Sequence, residues 1–465
     1  MRGGRWLTLA VVSAGTAMLL LDVTVVNVAL PAVAEDIDVT FEQAQWVIDA
    51  YALTLAATVL TAGALADRLG RRAVFAAGLV LFTLTSAACG LAQSGLQLDL
   101  ARAAQGVGAA AMFAASLALL AHEFQGPERS FALGIWGAIT GAALALGPLA
   151  GGALVDGPGW RWIFLVNLPI GALLVALTLA RLPESREREP RPIDPAGLAT
   201  FGLGCFFATF ALIRGPEAGW GDAQIVVSGA GAAVLLAGFV AIERTVKAPM
   251  LPPSLFRIPA FTGTALVAFV QSLALYPLFL FLAIYFQSYL GYTPTETGLR
   301  LLPLTLVLFA VAPISGRYTS RVALRVPLTL GLVLIAAGLL LMAGLEPTDD
   351  WDRLLPGFVV GGLAIGVISP ALAAAMVGVL SVDRSGLASG VNNTFRQLGI
   401  AVGIAAFGAV FTHNADGGGA QGAVDGLNTI FVAAAACALA GAAVAWPLLR
   451  GLRVSPAPGG SGPPR

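Results

Sequence analysis

Charge is what this sequence has least of. Only 11% of its 465 residues are charged, against roughly 25% in a soluble globular chain, so it lacks the polar surface needed to face water. Its formal net charge is zero, which offers no basic face to a nucleic acid. Lysine occurs once, in Thr245-Val246-Lys247-Ala248-Pro249, and no Gly-x-x-x-x-Gly-Lys-Ser/Thr loop exists to cradle ATP. The two histidines, His122 and His413, are far apart and have no metal-ligand company, so neither a metal nor a cofactor is expected. Cys89, Cys205 and Cys437 each fall in an apolar run and read as small hydrophobes rather than a disulfide framework. No nucleophile–base pair points to an enzyme. The preference for arginine over lysine, with abundant alanine and glycine, fits a GC-rich bacterial genome.

What is present is hydrophobic length: 57% of the residues are hydrophobic. A membrane-crossing helix needs about 20 mostly apolar residues. Such runs lie near Leu7–Leu30, Ala44–Leu65, Ala73–Ala92, Leu98–Leu120, Phe131–Val155 and Trp162–Ala180. After a charged stretch from Arg181 to Asp194 come Ala196–Ile213 and Ile225–Ile242. The last six are Phe261–Phe286, Gly298–Ile314, Pro327–Gly344, Leu354–Val377, Gly386–Phe411 and Leu427–Leu449. The expectation is an all-α polytopic membrane protein with fourteen transmembrane helices. The first run resembles a signal peptide at Arg2 and Arg5, but it is too long and holds Asp22, so it reads as a retained helix.

Basic residues fix the expected orientation, because cytoplasmic loops carry the excess of lysine and arginine. With the N-terminus inside, inner segments collect twenty of them, from Arg2 and Arg5 through the Arg68–Arg72 turn to Arg450, Arg453 and Arg465. Outer segments collect only Arg161, Arg214, Arg300 and Arg353, and are acidic at Glu35, Asp36, Asp38 and Glu42 and again from Glu346 to Asp352. Both termini are therefore expected in the cytoplasm, in an inner membrane.

An internal repeat is legible at two inner turns. One reads Gly63-Ala64-Leu65-Ala66-Asp67-Arg68-Leu69-Gly70-Arg71-Arg72 and the other Gly316-Arg317-Tyr318-Thr319-Ser320-Arg321-Val322-Ala323-Leu324-Arg325. Glycine and the first and last arginines coincide, and Ser320 stands where the first turn has Asp67. Each turn follows the second helix of a six-helix block if the pair at 196–242 is an insertion. The expected organisation is a six-helix half at 1–183, a linker with two inserted helices at 184–257, a second half at 258–451 and a disordered tail at 452–465. Two repeated halves around a central site are the plan of a secondary transporter.

The same motifs carry a family resemblance across nearly the whole chain. The Gly63–Arg72 turn, Arg102-Ala103-Ala104-Gln105-Gly106-Val107-Gly108, and the Gly137, Gly141, Gly147-Pro148 and Gly151-Gly152 series resemble the loop, fourth-helix and exporter motifs of the major facilitator superfamily. Leu21-Asp22-Val23-Thr24-Val25-Val26-Asn27-Val28-Ala29-Leu30-Pro31 is similar to a first-helix motif of its fourteen-helix drug:proton antiporters. Trp160-Arg161-Trp162-Ile163-Phe164 with Asn167-Leu168-Pro169, and Asn392 to Gly399, are similarly branch-like. A departure is Asp49, where the family more often has an uncharged residue. The resemblance implies a major-facilitator fold and a monomer exchanging protons for a small amphipathic molecule, without ATP. The alternative is a nutrient importer of the same superfamily, against which the Gly147-Pro148 motif stands.

Candidate site residues follow from charge that cannot avoid the hydrocarbon. Asp22 lies well inside the first span, where an ionisable group costs about 2.5–3.5 kcal/mol and is functional by default. Burial disfavours a carboxylate and a nearby arginine favours it, so an acid poised between them can load and release a proton. A structural hydrogen bond through Thr24 or Asn27 is the competing reading. Asp49, about one turn inside the outer face, belongs either to proton coupling or to the wet mouth of a cavity. Arg102 either couples to the proton, as the resemblance implies, or snorkels. Arg396 lies deep in the thirteenth span and shares a face with Asn392; it would hold a counter-acid, touch substrate or only pack. With Asp22, Asn27, Gln271, Tyr276 and Tyr285 these make the expected substrate cavity, and Phe279, Phe281 and Phe286 a weaker aromatic lining. Gly63, Asp67, Arg68, Gly70, Arg71 and Arg72 are expected to latch the inner side, at the solvated membrane surface. Gly147, Pro148, Gly151 and Gly152 are expected to let helix five pack closely and bend as a gate. The expected scheme is mutual exclusion, Asp22 accepting either a proton or a cationic substrate, with indirect coupling through Arg102 or Arg396 if the substrate is neutral or anionic.

Overall fold

A computed structural model describes residues 2–39, 41–186, 194–246, 249, 251–319, 321–379, 385–415 and 419–452. Lys247, Arg188, Arg191, Arg384 and the tail from 453 lie outside the described residues, as do the side chains of Asn27 and Pro148. The described chain is helical: α1 (Arg2–Asp36), α2 (Phe41–Leu69), α3 (Arg71–Gly90), α4 (Gly95–Glu123), α5 (Gly126–Asp156), α6 (Trp162–Leu165), α7 (Asn167–Arg181), α8 (Pro195–Ala218), α9 (Ala223–Thr245), α10 (Pro259–Ile284), α11 (Pro294–Thr319), α12 (Arg325–Met342), α13 (Leu355–Val379), α14 (Ser385–Ala415) and α15 (Gly419–Leu448). Capping side chains mark several starts: Ser94 accepts from Gln97 N, Asp194 from Gly197 N and Asp222 from Gln224 N, each satisfying an otherwise orphaned donor.

Among the described residues thirteen helical segments are long and apolar enough to cross a membrane, α6 and α7 together forming one of them. The fourteenth expected span is α5, within which Phe131–Ala143 is the apolar stretch whose side chains are described. Its 31 residues extend about 46 Å at 1.5 Å per residue, and it packs between α1 and α11. Large apolar side chains point outward, among them Leu84, Leu91, Val227, Val234 and Leu306. Such an apolar exterior is suited to lipid.

The two halves pack by one plan. In the first, α2 and α3 both lie on α4, α1 lies on α5 and α3 on α7. In the second, α11 and α12 both lie on α13, α10 lies on α14 and α12 on α15. Between halves the fifth helix of each meets the second of the other, α5 along α11 and α14 along α2. The close approaches match as well. A Cβ at Gly147 or Gly151 of α5 would collide with Thr24 or Val25 of α1, and one at Gly399 or Gly403 of α14 with Phe269–Leu273 of α10. Small residues at i and i+4 let two backbones meet where a side chain would hold them apart. The inserted α8 and α9 pair with each other, and α8 leans on α2 and α14.

The repeated turns share a backbone bond in register. Arg71 N donates to Ser185 O at 2.8 Å, and Leu324 N donates to Leu452 O at 3.1 Å. Each acceptor sits just past the last helix of its own half. The two turns thus occupy the same place, although only the first carries Asp67.

Candidate functional site

Asp22 sits on α1 with its carboxylate fully enclosed by the first half. Arg102 of α4 donates from Nη1 to Asp22 Oδ2, and Gln105 and Asn167 donate to Oδ1 at 3.1 and 3.2 Å. The same Arg102 donates from Nη1 to Gln105 Oε1 at 2.8 Å and from Nε to the Val47 carbonyl at 2.9 Å. Asn167 reaches on to Ser86 Oγ at 3.0 Å, and Ser86 donates to the Phe164 carbonyl at 2.9 Å. The guanidinium also lies over the Tyr51 ring, 4.2 Å from its centroid. Two opposite charges out of water are tolerated only with such dense hydrogen bonding, and removing one of them strands the other. Side chains of α1, α3, α4 and α7 thus form one network. Arg102, 1% exposed, does not snorkel.

The geometry bears on two expectations about these acids. Asp22 was expected both to couple protons and to line the substrate cavity; among the described residues its carboxylate bonds only within the first half and is covered there. Asp49, expected either in proton coupling or at the wet mouth of a cavity, is buried on α2, two residues from the Val47 that receives Arg102.

The Gly63–Arg72 turn also differs from its expected solvated state. Asp67 and Arg71 are 5% and 1% exposed and bonded at 3.1 Å from Nη2 and 3.2 Å from Nε. The cover comes from the segment after α7. Glu184 accepts from Arg72 N and Ala73 N, both at 3.1 Å, and Arg72 Nη1 donates to the Leu182 carbonyl at 3.2 Å. Gly70 has φ +116° and its Cα faces the Glu184 carboxyl, so the turn requires glycine on both counts. Arg68 remains partly exposed, and Gly63 is buried in α2. Helix α5 runs unbroken through Gly147–Gly152, where Gly147 and Gly151 seat it on α1.

A second polar group lies where α10 and α14 meet. Arg396 donates from Nη2 to the Tyr276 hydroxyl at 2.5 Å. It lies 5.5 Å from the Tyr276 ring centroid and 5.7 Å from that of Phe113 on α4, across the seam between halves. Gln271, Ser272 and Asn392 are each at least 95% buried, and Gln271 Oε1, Ser272 Oγ and Asn392 Oδ1 have no hydrogen-bond partner among the described residues. Tyr285, expected with them, instead opens the π-helical turn Tyr285–Tyr289 and stacks on Tyr289 at the end of α10. Phe281 stacks on Phe411 within the second half, and Phe279 lines a small apolar cavity with Leu275, Leu278 and Leu304.

The residues that sequence reading left without a role are Gln105, Asn167, Ser86, Tyr51 and Glu184. Gln105 and Asn167 did fall inside quoted motifs. That was the one signal available, because neither is charged.

Comparisons with known proteins bear on the family and the fold. The family model described as Major Facilitator Superfamily matches residues 12–404. The multidrug resistance protein Stp of Mycobacterium tuberculosis is 38% identical over 406 residues, covering 87% of this chain and 75% of the relative. The methylenomycin A resistance protein of Streptomyces coelicolor is 38% identical over 405 residues, covering 86% and 85%. The tetracenomycin C resistance and export protein of Streptomyces glaucescens is 34% identical over 412 residues, covering 88% and 76%. In fold, the chain is similar to the crystal structure of the human organic anion transporter MFSD10, with a TM-score of 0.69 at 17% identity over 95% of this chain and 99% of that one. A bundle of two like halves, motifs in order along the chain and a matching family model lead to one assignment: this chain belongs to the Major Facilitator Superfamily.

Proposed function

We propose that this protein is a proton-driven antiporter that exports small amphipathic molecules, antibiotics among them, across a bacterial inner membrane, with both termini in the cytoplasm. The observation that carries the reading is the enclosed Asp22–Arg102 pair. Relatives named for resistance and export support the direction of transport. The basic bias of the inner loops supports the orientation. A nutrient importer remains the alternative, and no feature of the site favours it.

The geometry suits indirect coupling rather than competition at one acid. Every described bond to Asp22 comes from α4 or α7, so a substrate need not touch it. A proton arriving on Asp22 removes its charge and leaves Arg102 buried without a counterion. Breaking a buried pair costs about 3–5 kcal/mol, close to the roughly 5.5 kcal/mol that inverts a two-state population from 1:99 to 99:1. Protonation thus drives α4 to move relative to α1 until the arginine finds water or another partner. The two halves rock about their seam, and the Asp67–Arg71 pair, with Glu184 on Arg72 beside it, holds the inner side of the first half in one arrangement.

Two measurements test this. Survival of a sensitive host on dyes, quaternary cations and antibiotics identifies a transported compound. In vesicles of stated orientation, a pH gradient should then drive that compound against the proton flow, and Asp22→Asn should abolish the drive. Flux along the proton flow would make the protein an importer, and undiminished coupling in Asp22→Asn would remove the acid from the mechanism.

A further inference from the structure

The α10–α14 group poses a charge problem that the first half has solved. Arg102 has a carboxylate. Arg396 has a hydroxyl and two aromatic faces, and among the described residues no carboxylate lies within ion-pair distance of it. Rings stabilise a guanidinium through their quadrupoles without neutralising it. Around it the polar atoms are unmatched too. Asn392 lies one turn from Arg396 on the same face of α14, and Ser272 lies one turn from Tyr276 on α10. Folded proteins pair the great majority of buried polar side-chain atoms, so several orphans on two facing helices mark a place built for something else. Water can satisfy an amide or a hydroxyl, but it cannot supply the missing negative charge.

We infer that Arg396, with Tyr276 and Asn392, is the docking point for an oxyanion on the substrate, and that the preferred substrates are aromatic molecules bearing a carboxylate, phenolate or enolate. This rests on the export reading and deepens it by naming the substrate class. Arg396 supplies planar paired donors that match a carboxylate. Phe113 places an aromatic face from the first half against the same guanidinium, so a flat body docked there touches both halves and its presence bears on their rocking. An oxyanion going out and a proton coming in both carry positive charge inward, so such exchange responds to membrane potential as well as to pH.

The test uses three probes with one body and different charge: 2-naphthoate, 2-naphthamide and 2-naphthylmethylammonium, titrated calorimetrically into the purified full chain in detergent. The carboxylate should bind at least about tenfold tighter than the amide, and the ammonium should not compete. Arg396→Gln should erase that preference and Arg396→Lys should keep part of it, which loss of packing alone would not do. Asn392→Asp places a carboxylate one turn from Arg396. It should abolish 2-naphthoate binding with the arginine still present, so the question survives if Arg396→Gln does not fold. Equal binding of amide or ammonium, no binding of 2-naphthoate, or carboxylate binding unchanged in both variants would overturn the inference. The two readings fail separately. Carboxylate preference without pH-driven flux leaves this site standing and removes export, whereas ammonium export surviving in Arg396→Gln does the reverse.

Discussion

In the first half a buried arginine meets a buried acid, and three further side chains complete the set. In the second half a partly buried arginine, carried on α14 rather than on α13, the counterpart of α4, meets only a hydroxyl and two rings among the described residues. The packing plan of α1 on α5 is repeated by α10 on α14, down to paired glycines four residues apart. The backbone plan was therefore kept while the charge plan diverged. A closed set of partners suits a proton site, where the titrating group must feel its partner and not the cargo. An open set suits a binding site, where the last partner arrives with the ligand. On the proposed reading, one repeated scaffold divides coupling and recognition between its copies.

The comparison can be broken most sharply at Arg102. Arg102→Ala strands Asp22 and should cost about 3–5 kcal/mol of stability, whereas adding Asp22→Asn should recover much of that loss. Thermal unfolding of wild type, both single variants and the double variant in detergent gives the coupling energy directly; purely additive effects would contradict a mutually dependent pair. A smaller loss, about 1.5–3 kcal/mol, is expected for Asp67→Asn, which takes the charged acceptor from Arg71. The equivalent position in the second half holds serine, which has no charge to lose.

Glycine substitutions sharpen the packing half of the comparison. Gly147→Ala and Gly399→Ala should each cost about 1–3 kcal/mol by overpacking. The second should cost more, because its new Cβ meets the Phe269 carbonyl of the backbone rather than the Thr24 side chain. The smallest effect belongs to Asp36, half-exposed and bonded to Arg161 at 2.5 Å. The Arg161 hydrogen bond holds its carboxyl below the ordinary value. A depressed carboxyl contributes stability above its unfolded pKa and loses it as pH falls through the folded one. Unfolding scans of Asp36→Asn should therefore match wild type to within about 1 kcal/mol at neutral pH, with any difference vanishing only in acid.

Much of the architecture was legible because apolar length and arginine placement are strong signals in a bilayer. The repeat was legible because Gly63 and Gly316 head turns that stand in register; the matching Arg71 and Leu324 bonds are visible only in the fold. Asp22, Arg102 and Arg396 were legible as charges inside apolar runs. Their partners were not, because Gln105 and Asn167 barely interrupt a hydrophobic stretch. Nor does local spacing reveal contacts that span 83 and 145 positions and depend on how each helix is rotated. The burial of Asp67 was missed for a related reason: hydropathy puts the turn at the membrane surface, and only the fold brings Glu184 over it. That Arg396 has no acid beside it is likewise a fact of packing.

The division of labour between halves is tested most directly by protons moved on substrate binding. With 2-naphthoate added to the purified full chain in weak buffer, wild type should release protons, and Asp22→Asn should bind the probe with similar affinity while releasing none. Proton release that persists in Asp22→Asn, or probe binding that is lost with it, would contradict a proton site in the first half separate from a substrate site at Arg396.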